Sequence, residues 1–349
     1  MRIRSAKESY AADTALFDSP TQRAWLALFA VALCLFPFVA DDYWLYLACL
    51  VAINVASTSG LNILTGYTGL VSLGQSAFMG LGAYTVAILQ IRWGTPFWLN
   101  LLAGGFVAML AGMLVGLPSL RVKGLYLAIA TIAAGVMAHF LFSHFTSLTG
   151  GSSGLTVPPA KLFSLELDNS FKLYWVIVPI TAMMLLGAAN LFRTRIGRAF
   201  IAIRDRDISA EVLGISLLRY KLMSFAISSF YAGVAGGLFA YFFRAVTPES
   251  FPLVMSIFFL AAVIVGGMGS ILGSVLGAAF MTLVPELLKL LVGWLPLEAM
   301  GGNAALILSP VRTIVFGLMI VLFLIFEPLG LAEMWRRVRR VFHLWPFRT

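Results

Sequence analysis

Long apolar runs alternate with short polar interruptions along the whole chain, and the interruptions set the elements. About twenty residues of helix cross the hydrocarbon of a bilayer. On that rule the runs predict about ten spans. They are Trp25 to Ala40, Tyr43 to Leu64, Leu70 to Ile91, Phe97 to Leu117 and Leu125 to Phe145, then Leu173 to Phe192, Leu222 to Phe243, Met255 to Val265, Ile271 to Leu291 and Ile314 to Phe326. The runs are continuous and do not alternate over strand-length segments, which selects helices over barrel strands. The expected fold is an all-α integral membrane protein, a polytopic helical bundle. The GGMGS stretch, Gly266 to Ser270, is either a surface turn or a break inside a re-entrant pair. The first run follows a long segment and ends in Val39-Ala40-Asp41-Asp42, a poor cleavage site, so it reads as a retained anchor.

Composition agrees with the pattern: 60% of the 349 residues are hydrophobic and 11% charged. Soluble domains carry roughly a quarter charged residues, so lipid must face much of this surface. The net charge of +9 does not point to nucleic acid, because the basic residues sit in short segments between apolar runs. Topology explains them better. With the N-terminus inside, 18 of the 24 Lys and Arg fall on the cytoplasmic side. They are Arg2, Arg4, Lys7 and Arg23, then Arg121 and Lys123, seven between Arg193 and Lys221, and five between Arg336 and Arg348. Arg92, Lys161, Lys172, Arg244, Lys289 and Arg312 make up the other side. The organisation expected is a cytoplasmic segment 1–24, a transmembrane domain 25–331 and a basic cytoplasmic tail 332–349. The domain carries an outer loop at about 146–172 and a cytoplasmic loop at about 193–221.

Catalytic signatures are missing from the sequence. There is no GxxxxGK[ST] phosphate loop, no HExxH and no GxSxG, and His139, His144 and His343 lack ligand spacing. No catalytic residue, metal or cofactor is expected in this chain. Cys34 and Cys49 lie in apolar runs and read as buried thiols. Glu286 and Lys289, three apart on one helix, can pair structurally. No series of acidic or Arg side chains crosses the spans, which weakens proton coupling. Transport by a subunit without its own ATPase becomes the leading idea.

Three sets of residues are candidates for that work. In the cytoplasmic loop, Asp207 can cap a short helix, Ile208 to Leu213. Glu211 then suits its first turn and Gly214 its left-handed end, with Ile208 and Val212 on one face. This helix either docks on a soluble partner or simply joins two spans. At membrane depth, Asn54, Ser57, Thr58, Asn62, Ser72, Gln75, Ser76 and Thr131 either bond between helices or line a pathway. Small residues repeat at four-residue spacing in Gly269, Gly273 and Gly277, in Ser72, Ser76 and Gly80, and in Gly233 and Gly237. Such faces pack helix on helix, or mark a broken helix that exposes backbone to substrate.

Several long stretches resemble a family. GLNILTGYTGLVSLGQSAFMGLGAY (Gly60 to Tyr84) is similar to a signature of the branched-chain amino acid permeases of ABC importers. Further matches follow in order: GLPSLRVKGLYLAIAT from Gly116, SLTGGSSGL from Ser147, the segment Ile196 to Tyr241, TPESF from Thr247, VIVGGMGSILGSVLGAA from Val263 and FEPLGL from Phe326. Their order resembles the LivM-type subunits in particular. The resemblance implies a bacterial inner-membrane protein with both termini cytoplasmic and a second, homologous permease beside it. It also implies two cytoplasmic subunits that bind ATP, and a periplasmic substrate-binding protein. Asp207 to Gly214 matches the segment through which such permeases meet the ATPase, although Ile208 and Ser209 stand where the general motif has Glu and Ala. Only Ala210 and Gly214 match it. Asn62 and Gln75 bracket the family's GYTG turn and lead the pathway candidates. A urea or short-amide permease of the same superfamily is the nearer alternative, and a stand-alone ion-coupled transporter the farther one. The purified chain is expected to hydrolyse no ATP; leucine uptake into vesicles by this chain alone, without ATP, would contradict the importer reading.

Overall fold

The apolar runs fold as helices in the predicted order. The computed structural model describes residues 20–120, 124–162, 165–293 and, discontinuously, 314–344. Most of the segment 1–24, Arg121, Lys123, Arg312, Arg348 and much of the tenth predicted span lie outside the described residues. The helices are α1 (Pro20–Val39), α2 (Asp42–Leu61), α3 (Gln75–Trp93), α4 (Phe97–Gly116), α5 (Leu125–His144) and α6 (Ser170–Arg193). After them come α7 (Arg195–Asp205), α8 (Asp207–Val212), α9 (Leu217–Phe243), α10 (Leu253–Gly266), α11 (Ile271–Gly293) and α12 (Leu331–Leu344). Among the described residues, six helical segments are long and apolar enough to cross a membrane: Asp42–Tyr67, α4, α5, α6, α9 and Pro248–Gly266. Apolar stretches in α1 and α11 are shorter, and α3 carries Gln75, Ser76, Gln90 and Arg92.

The centre of the bundle is α2 and α9. In their most apolar windows 83% and 78% of residues are buried, against 28% in α5, which turns most of its surface outward. Lipid tails are as apolar as Leu, so helices in a bilayer associate through close packing. Here α9 packs against α3 and α4 with backbone on backbone. A β-carbon at Gly236 would overlap the Met79 carbonyl oxygen, and one at Gly82 would overlap that of Gly233. Gly233 also sits against Ala108 and the Gly104 carbonyl. On α11, Gly277 meets the Ala262 carbonyl and Gly273 meets Gly266 and Gly267, which locks α10 and α11 antiparallel.

Two of the small-residue faces are shorter than the sequence suggests. Gly269 has φ +76° and lies in the turn before α11, so only Gly273 and Gly277 share the helical face. Ser72 precedes α3, which begins at Gln75 and not at Leu70, so only Ser76 and Gly80 of that series are helical. The cause is the GYTG segment. After Leu61, α2 widens into a π-turn, Asn62–Tyr67, and Gly69 then takes φ +75° and turns the chain. Cys34 also departs from expectation. It is exposed on the outer face of α1, whereas Cys49 is buried.

Polar segments collect at the two ends of the bundle. At one end, β1 (Leu155–Thr156) pairs antiparallel with β4 (Ala245–Val246), while β2 (Lys161–Leu162) pairs with β3 (Leu165–Glu166). Arg244 pairs with Asp168 at 3.5 Å, and Arg92 donates to the Ser147 carbonyl. At the other end lie α7, α8 and the GGMGS turn, with α12 starting against Gly267. The two ends are separated by the 27 residues of α9, about 40 Å. Arg92 and Arg244, from one side of the charge count, gather at the first end; Arg204, Lys221 and Arg336, from the other, lie at the second. Tyr43 OH donates to Glu286 at 3.0 Å and ties α2 to α11, and Glu286 pairs with Lys289 within α11.

Backbone contact of this kind leaves no room for a side chain. Gly236→Val should destabilise the detergent-solubilised protein by about 3 kcal/mol or prevent its folding. Gly135→Ala, whose β-carbon meets only the Leu73 carbonyl at 4.0 Å, should be neutral or stabilising. Thermal unfolding followed by size-exclusion fluorescence checks both.

Candidate functional site

Two breaks in regular helix face each other at the second end, and one amide joins them. Asn62 opens the π-turn and is almost wholly buried. Its Nδ2 donates to the Ser270 carbonyl at 2.8 Å and to Ser274 Oγ at 2.7 Å, while its Oδ1 accepts from the Gly269 N–H at 2.9 Å. A single side chain thus bonds two backbone groups of the GGMGS turn, the Gly269 N–H and the Ser270 carbonyl, the latter shared with the Ser274 N–H of α11. Thr68 Oγ1 donates to the Ile63 carbonyl at 3.0 Å, and Thr65 Oγ1 to that of Leu70 at 3.1 Å. Irregular backbone at this depth needs such partners, because lipid supplies none.

The 193–221 loop is tied to the same place. Thr194 caps α7 by accepting from the Ile196 N–H at 3.2 Å. At the far end of α7, Arg204 Nη1 donates to the Gly66 carbonyl at 2.7 Å, inside the π-turn. The Arg204 stem lies along Gly69 and its guanidinium against Gly269; a β-carbon at Gly269 would come within 2.6 Å of Nη1. Tyr67 stacks on Phe192 at the end of α6, with ring centroids 3.3 Å apart. Arg204 was not singled out in the sequence. Its only signal there was being one basic residue among seven in the loop.

The α8 helix forms where the sequence put it. The cap position falls on Arg206, which is extended, and Asp207 is the first helical residue. Its carboxylate nevertheless accepts the Ile208 N–H at 2.9 Å and faces the buried Lys221 ammonium at 3.9 Å. The far end closes as a Schellman motif. Gly214 N–H bonds to the Glu211 carbonyl and Ile215 N–H to that of Ala210, with Gly214 at φ +85°. Ala210 is 2% exposed and seats the helix, whereas Ile208, Val212 and Leu213 are 70, 84 and 81% exposed. Glu211 is exposed beside them.

The remaining pathway candidates are all buried, but they do not meet in one cluster. Asn54 donates to Thr282 Oγ1 at 3.0 Å, tying α2 to α11. Thr131 Oγ1 accepts the Leu73 N–H at 2.9 Å and donates to Ala128, which holds the irregular 68–74 segment against α5. Ser72 Oγ accepts from the Gly74 N–H at 3.3 Å. Gln75 Nε2 donates to the Ser57 carbonyl at 2.9 Å, yet among the described residues its Oε1 has no partner, and neither has Thr58 Oγ1. Ser76 and Ser256 bond at 2.7 Å between α3 and α10. Partners such as Thr282, Ser274 and Ser256 escaped sequence reading because a lone hydroxyl in an apolar run carries no periodic signal. Asn100 escaped as well; its amide bonds Gln90 Oε1 and Tyr241 OH, both at 2.9 Å, near the opposite end.

Sequence relatives agree with this architecture. A family model described as branched-chain amino acid transport system / permease component matches residues 43–324. The high-affinity branched-chain amino acid transport system permease protein LivM of Salmonella typhimurium is 35% identical over 292 residues, 77% of this chain and 69% of that protein. The LivM of Escherichia coli K12 matches to the same extent. A probable branched-chain amino acid transport permease protein LivH of Methanocaldococcus jannaschii is 26% identical over 297 residues, 81% of this chain and 89% of that one. No solved structure matches the chain. With the family model covering most of the chain and LivM proteins aligned across more than two thirds of their length, this chain belongs to the branched-chain amino acid transport system permease family.

Proposed function

We propose that the chain is the membrane permease subunit of an ATP-driven importer for branched-chain amino acids. In this reading it crosses the inner membrane about ten times. Both termini are cytoplasmic, and a homologous LivH-type permease lies beside it. ATP is bound by two separate cytoplasmic subunits, and a periplasmic binding protein delivers the amino acid. The names of the LivM and LivH relatives supply the cargo class.

The observation that carries the reading is the join between α8 and the two breaks. Ile208 and Val212 on this six-residue helix, and Leu213 at its C-cap, are exposed apolar side chains anchored beneath by Ala210. They suit a cleft on a soluble subunit, and burial there would give roughly 1.5–3 kcal/mol each for the larger side chains. Movement of α8 passes to α7, to which Ala210 N–H is bonded through the Arg206 carbonyl at 3.0 Å. Arg204 then hands it to Gly66, and Asn62 hands it to the turn that begins α11. Asp207, Ala210, Glu211 and Gly214 shape the docking element, and Arg204 is its connection inward.

The partnerless Gln75 Oε1 and Thr58 Oγ1 are the best-supported pathway groups. An unmet buried polar atom costs about 1–3 kcal/mol, which a substrate ammonium or a rearranged helix would recover. Asn54, Asn62, Ser72 and Thr131 have their bonds and hold the frame.

Two sets of variants test the reading in the assembled transporter. Val212→Asp or Leu213→Asp should abolish co-purification of the ATP-binding subunits. Arg204→Gln should leave the assembly intact and ATP hydrolysis running, while leucine uptake falls at least about tenfold, from loss of a charged hydrogen bond worth about 1.5–3 kcal/mol. Gly214→Val, forced into a left-handed conformation at about 1–2 kcal/mol, should weaken coupling in the same direction. Uptake per ATP unchanged in Arg204→Gln would remove the relay.

A further inference from the structure

We infer that α12 is an interfacial helix that binds anionic lipid headgroups at the surface of the membrane. Its sequence, LAEMWRRVRRVFHL, separates into two faces at helical spacing. Leu331, Met334, Trp335 and Val338 share an apolar stripe, and the sequence continues it with Val341 and Phe342. Arg336, Arg337, Arg339 and Arg340 fall outside it. The beginning of the helix is fixed. Gly330 packs on the backbone of Gly266 and Gly267, and Ala332 is buried there. Beyond that contact no described residue covers the stripe, and Met334, Trp335 and Val338 are 45, 58 and 40% exposed.

The place and the charge identify the occupant. The GGMGS turn that seats α12 lies at the ends of α10 and α11, beside Arg204 and the π-turn, and so at the level where transmembrane helices stop. An amphipathic helix starting at that level puts its apolar stripe into the boundary of the acyl chains and its arginines among headgroups. Arg336 pairs with Glu333 at 3.0 Å and Arg337 with Glu327 at 3.1 Å. Four arginines against two carboxylates still leave the segment basic, and exposed pairs of this kind hold weakly. Anionic lipid therefore matches both faces, and Trp335 is the residue type that prefers this depth. The inference does not depend on the cargo or on the ATPase, and it can fail while the importer reading stands.

The test uses the full chain reconstituted in vesicles of phosphatidylcholine with or without phosphatidylglycerol. In a Cys34→Ser background, with Cys49 buried, an environment-sensitive fluorophore is attached at Met334→Cys, Val338→Cys or Arg337→Cys. Positions 334 and 338 should be quenched by doxyl-labelled lipid and shielded from iodide, and position 337 should show the reverse. Arg336→Gln with Arg339→Gln should lower the docked-to-undocked ratio at 338 by roughly fivefold per arginine at low salt, and omission of phosphatidylglycerol should act in the same direction. Iodide quenching at all three positions would overturn the inference by placing the helix in water. Shielding from both quenchers would overturn it by placing protein over the stripe, and indifference to phosphatidylglycerol and to the glutamine variant would overturn the role of anionic lipid.

Discussion

Backbone amides and carbonyls that leave a helix inside a membrane protein must find partners within the protein. Two stretches break regular helix here, Asn62 to Gly74 and Gly266 to Ser270, and each supplies what the other lacks. Asn62 is the central piece, because its amide both accepts and donates and reaches across to two backbone groups of the opposite turn and to the Ser274 hydroxyl on α11. A carboxylate there could not donate, and an apolar residue could do neither. The rest of this end of the bundle follows: Arg204 takes the Gly66 carbonyl that the π-turn frees, and Gly269 leaves the space its guanidinium occupies.

The glycine contacts do different work. Between α3, α4 and α9 they bring backbones together over a long interface, so the centre is fixed by shape more than by polar bonds. A bundle packed in this way moves in blocks, since a close-packed interface has few intermediate arrangements. Polar bonds lie where blocks meet: Asn54 to Thr282 between α2 and α11, Ser76 to Ser256 between α3 and α10, and Asn62 across the two breaks. That distribution suits a protein that alternates between two packings and needs a defined seam.

Much of this was legible in the sequence, for physical reasons that also mark its limits. Among the described residues, nine of the apolar runs fold as helices close to their predicted positions, and six helical segments are long and apolar enough to cross a membrane. The charge count separates residues that lie at opposite ends of the bundle: Arg92 bonds the Ser147 carbonyl and Arg244 pairs with Asp168 at one end, while Arg204 and Lys221 lie near α8 at the other. The short helix before Gly214 was readable from Asp207 and Gly214, although its N-cap is Arg206, one place before Asp207. The π-turn and the late start of α3 were not, since Leu, Val and Leu at positions 70, 71 and 73 are as apolar as any helix interior. Nor was Arg204, whose importance comes from a carbonyl 138 positions away in the chain. The α12 periodicity was present in the sequence and hidden by its charge, which reads first as a topology signal.

The departure of α8 from the general importer motif follows from its surroundings. Where that motif has a Glu at its start, this chain has Ile208, which stands in water at the head of the helix. The acidic function is moved one place earlier, to Asp207, which holds the first N–H of α8 and faces Lys221 at the base of α9. What α8 keeps is its small buried residue, Ala210, and the left-handed glycine that ends it. Those two features set the position and length of the helix. The exposed side chains set only what it can touch, and these are apolar. In the proposed coupling, docking through Ile208, Val212 and Leu213 would depend on shape and desolvation, and the charged hydrogen bond would lie one helix further in, where Arg204 meets Gly66.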